Sequence, residues 1–352
     1  MDDLLPFLKS LLEVSGLSAH EGPVRRRIEA RWKPLADELQ VSRLGSLHAL
    51  KKGSGDSPRP SLLAAAHMDA IGLMVQSLHD GFLRLAAVGD ADPRLLPGTP
   101  VRVHTAGGDL PGVVSLPPPR LLPEEQRGRF PALEYLFVDT GLTPAQVKRR
   151  VQTGDLVSLD TQPVELAGGA LSGHSLDNRA SVAALTFALE ELRSRSHRWD
   201  VWAAATVQEE ITMAGAATSA FGLRPDLAVV LDVTFAKGPG TDGWDSFPLD
   251  SGPTLGLGPV IHPALHRRFR KAAERAEIPF SVEPMPAYSM TDADAILTAA
   301  GGIPCMVLGI PIRYMHSPVE AACLRDIERA GRLLAEFIVS LEGDFLRQVV
   351  WE

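Results

Sequence analysis

Apolar residues recur at two different spacings along the chain. From Leu4 to Leu12 they follow a helical spacing that stops near Gly16, and a second amphipathic helix is predicted over about residues 22–32. Leu62 to Ala66 is a short apolar run that ends at His67, which is typical of a central strand whose carboxyl end meets a site. The chain therefore begins with the pattern of an α/β protein.

The pattern changes from Ile71 to about Val164. Short alternating segments are broken there by glycine and proline, including Pro117-Pro118-Pro119. This texture predicts a small β-rich domain, residues 71–163, inserted into a discontinuous α/β domain formed by residues 1–70 and 164–352.

The βα pattern resumes after the insert. Helices are predicted at residues 180–192, 214–221, 262–276, 292–300 and 324–341, and strands at 201–207, 227–233 and 304–308. Strands that alternate with helices indicate a mostly parallel sheet covered on both faces.

Composition narrows the possible functions. The chain has 352 residues, 45% hydrophobic and 22% charged, enough for a large core and two domains. A net charge of -8 argues against binding nucleic acid or an anionic membrane surface. We see no apolar stretch of membrane-spanning length and no basic N-terminal region, so a cytoplasmic location is expected. Cys305 and Cys323 are expected to be reduced core thiols.

Five short polar motifs carry the candidate chemistry, and most of them close an apolar run. They are Ala66-His67-Met68-Asp69, Leu176-Asp177-Asn178-Arg179, Gln208-Glu209-Glu210, Leu231-Asp232-Val233-Thr234 and Tyr314-Met315-His316-Ser317-Pro318. Two histidines with several carboxylates are what two divalent cations sharing a bridging carboxylate would need. The motifs therefore predict a hydrolase.

Each motif also has a plainer interpretation. His67 and Asp69 are two apart on a strand end, so their side chains project to the same side and Asp69 could accept the second imidazole N–H. A buried structural histidine would fit the same pattern. Asp177 opens the helix predicted at residue 180, where capping alone would explain it.

Glu209 and Glu210 would repel each other if both were ionised and buried, so a positive group is expected nearby. One of them could bind metal while the other holds a water molecule, although an exposed acidic loop would look the same. Asp232 could cap a turn, and His316 could lie in a surface loop.

Together the five motifs, in this order, resemble the dinuclear-metal aminopeptidases of the tetrahedral aminopeptidase family. That family also includes glutamyl and deblocking aminopeptidases and proteins labelled as endoglucanases. The resemblance covers nearly the whole chain, including Asp92-Pro93-Arg94 in the insert.

The resemblance implies a role for each motif residue. One metal would take His67 and Asp232, the other Glu210 and His316, and Asp177 would bridge them. Asp69 would orient His67, and Glu209 would be the general base. Zinc or cobalt is the metal expected, and the peptide bond between Asp177 and Asn178 is expected to be cis.

The resemblance also implies a fold and an assembly. The fold would be a three-layer α/β/α phosphorylase/hydrolase-like metallopeptidase domain with an inserted small β-barrel-like dimerisation domain, and dimers would form a hollow tetrahedral dodecamer. We expect the insert to mediate subunit contacts for a second reason, because a small domain with exposed strand edges tends to be covered.

The implied activity is removal of N-terminal residues from peptides. A deacylase or amidohydrolase acting on small N-acyl substrates would use the same metal centre. A glycan hydrolase usually needs two carboxylates without metal, and a non-catalytic assembly protein would be expected to lack Glu209 or a ligand.

One loop departs from the family pattern. Where relatives commonly have Gly-Gly-Thr-Asp-Ala-Gly, this chain has Tyr288-Ser289-Met290-Thr291-Asp292-Ala293-Asp294. If Asp292 and Asp294 both face the pocket, their charge predicts a preference for neutral or basic first residues.

Overall fold

The computed structural model describes residues 4–351, in which a large sheet carries helices and a small barrel. The strands are β1 (Glu38–Val41), β2 (Leu47–Lys51), β3 (Ser61–His67), β4 (Gly72–His79), β5 (Phe82–Val88), β6 (Pro100–Thr105), β7 (Gly108–Ser115), β8 (Phe137–Asp139), β9 (Leu156–Leu159), β10 (Val164–Leu166), β11 (Ala170–Gly173), β12 (Asp200–Thr206), β13 (Leu227–Phe235), β14 (Thr254–Leu257), β15 (Ser281–Pro284), β16 (Cys305–Arg313) and β17 (Glu320–Cys323). The helices are α1 (Leu4–Leu12), α2 (Gly22–Trp32), α3 (Pro144–Arg150), α4 (Leu176–Glu191), α5 (Glu209–Thr212), α6 (Ala214–Leu223), α7 (Pro263–Arg275), α8 (Asp292–Leu297) and α9 (Leu324–Ser340).

The large sheet is mixed. Its strands follow the order β1-β2-β12-β3-β13-β16-β17-β11-β10, with β14 pairing both β16 and β15. The four central strands β12, β3, β13 and β16 are mutually parallel, whereas the strands that flank them on both sides pair antiparallel. The prediction of a mostly parallel sheet is therefore wrong outside the centre, because short connections join β1 to β2 and β10 to β11 as hairpins.

Helices cover this sheet and complete the α/β/α architecture that was expected. Helix α4 packs against β3 and β13 and contacts α1 and α9. Helices α6 and α8 contact each other, and each of them also contacts the sheet. Gly331 lets α9 approach α4 closely, since a Cβ added there would lie 2.3 Å from the carbonyl oxygen of Ala184. The shared apolar core is continuous from α1 to α9.

Strands β4 to β9 form a closed barrel in the order β4-β5-β8-β7-β6-β9. The barrel has its own apolar core, which includes Leu73, Val103 and Val157. Closure leaves no free strand edge, so the edge argument for subunit contacts at the insert is wrong. Strand β10, which begins at Val164, pairs with β11 and belongs to the large sheet, not to the barrel.

Most predicted elements are confirmed, with differences at their ends. Helix α8 stops at Leu297, short of the predicted residue 300, and Ala300 has a positive φ of 50° that a helix cannot continue through. In the large sheet the sequence pattern missed seven strands of three to five residues each: β1, β2, β10, β11, β14, β15 and β17. Between residues 4 and 351, none of the helices combines the length and apolarity needed to cross a bilayer.

Candidate metal centre

The candidate residues meet at the carboxyl edge of the central strands. His67 ends β3 and is in register with Thr206, the last residue of β12. Asp232 lies on β13, and Glu209 and Glu210 open the short helix α5 just after β12. The carboxyl ends of parallel strands lie at one edge of a sheet, so residues far apart in sequence converge there.

Asp177 lies between the two histidines. Its Oδ1 is 3.2 Å from His67 Nε2, and its Oδ2 is 3.3 Å from His316 Nε2. The neighbouring Asn178 donates through Nδ2 to the carbonyl oxygen of Leu231 at 2.9 Å, which ties this turn to β13. The peptide bond between Asp177 and Asn178 is cis, and this expectation is confirmed. Each oxygen of one carboxylate therefore faces a different imidazole.

Two groups of three candidate metal ligands share Asp177. His67, Asp177 and Asp232 form the first group, and Asp177, Glu210 and His316 form the second group. Within each group, one donor atom from every residue lies within 4.8 Å of the others. Asp177 belongs to both, so the structure brings together all five residues that the sequence singled out as metal ligands.

Asp69 fixes the surroundings of His67. Its backbone carbonyl oxygen lies 3.2 Å and its Oδ1 3.4 Å from His67 Nδ1, on the side of the ring that faces away from Asp177. The same carboxylate accepts hydrogen bonds from the backbone N–H groups of Glu209 at 3.0 Å and Glu210 at 3.3 Å. Ser18 Oγ donates to it at 2.6 Å. Asp69 thus joins the imidazole to the turn that carries the two glutamates.

The two adjacent glutamates diverge. Glu209 Oε2 lies 3.7 Å from His67 Nε2, whereas Glu210 Oε2 lies 3.5 Å from His316 Nε2. Gln208 precedes them with a φ of 59°, a left-handed conformation that turns the chain sharply after β12. Glu209 therefore lies near the first group and Glu210 within the second.

Burial and mutual repulsion dominate the electrostatics of the site. Burial raises the pKa of Glu209 to about 7, with further contributions from Asp177 and Asp69. Burial and the charge of Asp177 raise the pKa of Glu210 well above its usual range, and burial does the same for Asp232. Burial opposes the charge of Asp177 too, but hydrogen bonds with His316 and His67 lower its pKa. Such a cluster of carboxylates favours added positive charge.

The donor set fits divalent cations. Imidazole nitrogens and carboxylate oxygens are common zinc ligands. Glu210 Oε1 is buried without a hydrogen-bond partner among the described residues, as expected of an oxygen reserved for a ligand. A third cluster is formed by Asp250, Cys323 and Asp326. It differs from the two groups around Asp177 because Arg325 and Arg329 form ion pairs with its carboxylates and neutralise their charge.

The loop over residues 288–294 does not present both of its aspartates to the site. Asp294 accepts hydrogen bonds from the backbone N–H groups of Ser289 and Met290, so it stabilises its own loop. Asp292 is fully buried and accepts from Thr206 Oγ1 at 2.5 Å, and burial followed by the charge of Glu209 raises its pKa to about 8. The condition behind the specificity prediction is therefore not met.

Sequence reasoning missed three polar residues around the site. Ser18 contacts Asp69, and Glu21 accepts from the backbone N–H of Gln208 at 3.2 Å. Glu320 accepts from the backbone N–H groups of Asp177 and His316. Only Glu320 left a signal, as a lone carboxylate inside the apolar run Val319-Glu320-Ala321-Ala322-Cys323.

Comparison with known proteins identifies the family. Residues 45–333 match the model of the M42 glutamyl aminopeptidase family, Peptidase M42. The chain belongs to this family. It is 33% identical to a lysyl aminopeptidase of Pyrococcus furiosus over 95% of this chain and 96% of that protein. The description of the M42 family and the name of this relative thus differ in the residue that they specify, glutamyl against lysyl.

Solved structures of this family share the fold closely. A TET aminopeptidase from a marine sediment archaeon of the Thaumarchaeota superposes with a TM-score of 0.93 at 30% identity, covering 99% of both chains. The TET1 peptidase of Pyrococcus horikoshii, described as assembling into a tetrahedron or a large octahedral shell, gives a TM-score of 0.84 at 29% identity, covering 96% of this chain and 100% of that one. The resemblance and the fold class predicted from sequence are confirmed.

Proposed function

We propose that this M42 family protein is a metal-dependent aminopeptidase that holds two divalent cations per subunit, with zinc or cobalt the expected metal. His67 and Asp232 would hold one cation, Glu210 and His316 the other, and Asp177 would bridge them. The observation that carries this proposal is the placement of the two Asp177 oxygens, 3.2 Å from one imidazole and 3.3 Å from the other. A carboxylate placed in this way suits a two-metal site.

The protein side chains divide the remaining work. The cations, when bound, supply Lewis-acid activation of a water molecule and of the scissile carbonyl. Glu209 accepts the proton of the attacking water and returns it to the leaving amine. Asp69 faces the far nitrogen of His67 at 3.4 Å and orients the ring. The surrounding carboxylates also suit the free α-amine of a peptide.

The competing activity is deacylation of small N-acyl substrates, which would use the same centre. A panel of aminoacyl-anilides, each with its N-acetylated counterpart and with zinc, cobalt or manganese added after chelator treatment, separates the two. We expect cleavage of the free-amine substrates and restoration of that cleavage by metal. Preferential cleavage of the acetylated set would contradict the aminopeptidase assignment, and full activity in chelator would contradict metal dependence and leave a glycan hydrolase to be tested.

We also propose that the chain assembles as dimers into a tetrahedral dodecamer. The support is the family relationship, since a relative with a TM-score of 0.84 is described as forming a tetrahedron or an octahedral shell. Several exposed apolar side chains on the strands and connections of the inserted domain are consistent with contacts there: Phe82, Leu95, Val113, Leu121 and Phe130.

A further inference from the structure

Glu320 is a buried carboxylate that has no role in the chemistry proposed above. It begins β17, is 1% exposed, and forms no salt bridge with the described residues. Its Oε2 accepts the backbone N–H of Asp177 at 3.1 Å, and its Oε1 accepts the backbone N–H of His316 at 2.9 Å. Burying a carboxylate is costly unless its oxygens are hydrogen-bonded, so these two contacts define why the group lies there.

The two N–H groups belong to Asp177 and His316, two residues of the second group, and neither lies on a strand. Asp177 lies at the start of α4, where its φ and ψ of -76° and 102° are not helical. His316 lies beyond the end of β16 at Arg313, and its φ of 61° is unusual for a residue other than glycine. Glu320 therefore joins the backbone of the His316 loop to the backbone of the Asp177 turn.

The first group is anchored in another way. His67 and Asp232 lie on the central strands β3 and β13, whose parallel ladders fix their backbones. The side chain of His316 is also the more accessible of the two imidazoles, 27% exposed against 2% for His67. Loss of the Glu320 contacts should therefore displace His316 more than the other donors.

We infer that Glu320 is a positioning residue for the second group, holding the His316 loop and the Asp177 turn at the separation that one divalent cation requires. The inference rests on the proposed two-cation function. Partners that orient metal ligands commonly change metal affinity by about 10- to 100-fold when they are removed. An effect of that size, larger at one cation than at the other, distinguishes positioning from a general loss of stability.

The direct test is Glu320→Gln, followed by calorimetric titration of metal-free protein with zinc or cobalt. The amide nitrogen of glutamine has no lone pair to offer, so one of the two backbone N–H groups would face another N–H. We expect two cations per subunit in the unmodified protein. In the variant, the dissociation constant of one cation should rise about 10- to 100-fold, and that of the other cation, which shares Asp177, should rise less.

The affected cation can be assigned with Glu210→Gln, which alters a donor of the second group only. If Glu320 acts mainly on that group, adding Glu320→Gln to Glu210→Gln should weaken the remaining cation by less than Glu320→Gln alone weakens the affected cation. An equally large loss at the remaining cation would show that Glu320 acts as much on the first group and would overturn the inference.

Asp326→Asn is the matched control. Asp326 is also fully buried, and its two oxygens accept backbone N–H groups, from Asp250 at 2.6 Å and Gly252 at 2.7 Å. Neither of those residues belongs to the two donor groups around Asp177. We expect Asp326→Asn to lower the thermal stability of the metal-free protein while binding both cations normally.

A second variant guards against misfolding of Glu320→Gln. Glu320→Asp keeps the charge but withdraws both oxygens by about 1.5 Å, one C–C bond, so it should weaken the same cation. Unchanged affinities in both Glu320 variants, or equal weakening in Asp326→Asn, would overturn the positioning role. Failure of the unmodified protein to bind two cations would instead contradict the proposed function.

Discussion

At the scale of single residues, the side chains of the two adjacent glutamates lie near different histidines, so we expect them to have different roles. Glu209 lies 3.7 Å from His67 Nε2 and Glu210 3.5 Å from His316 Nε2. Glu209→Gln keeps size but cannot accept a proton, so we expect both cations to remain while turnover falls by about 10²- to 10⁴-fold. Glu210→Gln should bind one cation more weakly, since a neutral amide is a poorer ligand than a carboxylate. Metal content and rate are measured on the same preparations.

Two results would contradict these roles. Near-normal turnover of Glu209→Gln with full metal content would contradict the general-base role of Glu209. Loss of metal from Glu209→Gln, with the metal content of Glu210→Gln unchanged, would show that the roles of the two residues are exchanged.

The sequence predicted which residues meet at the site but not what holds them. His67 and Asp232 lie within or at the end of apolar runs, and the parallel centre of the sheet brings such ends together. Glu320 and Ser18 act instead by hydrogen bonds to a backbone N–H and to a carboxylate. Contacts of this kind depend on the path of the chain, so Ser18 left no pattern in the sequence and Glu320 left only that of a lone carboxylate in an apolar run.

At the scale of elements, long periodic segments were predictable and short ones were not. Helix α2 has the predicted bounds, Gly22–Trp32, and its Val24, Ile28 and Trp32 form the buried face. Strands such as β14 and β15 have four residues, too few for a period to stand out. They exist because they pair with each other and with β16, a tertiary cause that one short segment does not encode.

A buried histidine on one of these missed strands should make stability depend on pH. His48 on β2 lies 2.8 Å from Ser219 Oγ on α6, and burial lowers its pKa to about 4. The unfolded state, with a pKa near 6.5, then binds more protons than the folded state as pH falls below that value. His48 stabilises the fold at neutral pH, and roughly 2 kcal/mol of that contribution is lost by about pH 5.

The measurement is the free energy of unfolding at several pH values for the unmodified protein and for His48→Gln, which does not titrate. We expect the difference between the two curves to change by roughly 2 kcal/mol from pH 7.5 to 5. His79→Gln is the control for the loss of a histidine as such, because the His79 side chain is 71% exposed. Parallel curves for His48→Gln and the unmodified protein would contradict the prediction.

At the scale of the whole molecule, the proposed cations would join segments that are far apart in the chain. His67, Asp177 and His316 come from β3, the start of α4 and the loop after β16. A ligand that binds only the folded state stabilises it by about 2.7 kcal/mol at one hundred times its dissociation constant. We therefore expect chelator to lower Tm by about 4 °C for each cation that it removes, and added zinc or cobalt to restore it.

His316→Ala tests the source of that stabilisation. With one donor of the second group removed, scanning calorimetry should show a smaller difference in Tm between chelated and metal-loaded protein. An undiminished difference would place the stabilising metal elsewhere in the molecule.

The closed barrel changes the reason for expecting assembly, because its strands have no free edge to cover. The exposed apolar side chains of the inserted domain remain, and Phe130 is the most exposed of them at 76%. If the insert mediates subunit contacts, Phe130→Glu should reduce the particle mass measured by light scattering, since a buried unpaired carboxylate is costly.

Phe221 on α6 provides a matched control for that experiment. It is 60% exposed and lies under Arg224, much as Phe130 lies under Arg94, with 5.7 and 5.6 Å between guanidinium carbon and ring centroid. Phe221→Glu therefore makes a similar surface change outside the barrel, and we expect it to leave the particle mass unchanged. A strict monomer of the unmodified protein at micromolar concentration would contradict the assembly itself. A reduced mass for Phe221→Glu with none for Phe130→Glu would move the subunit contacts from the barrel to the large sheet domain.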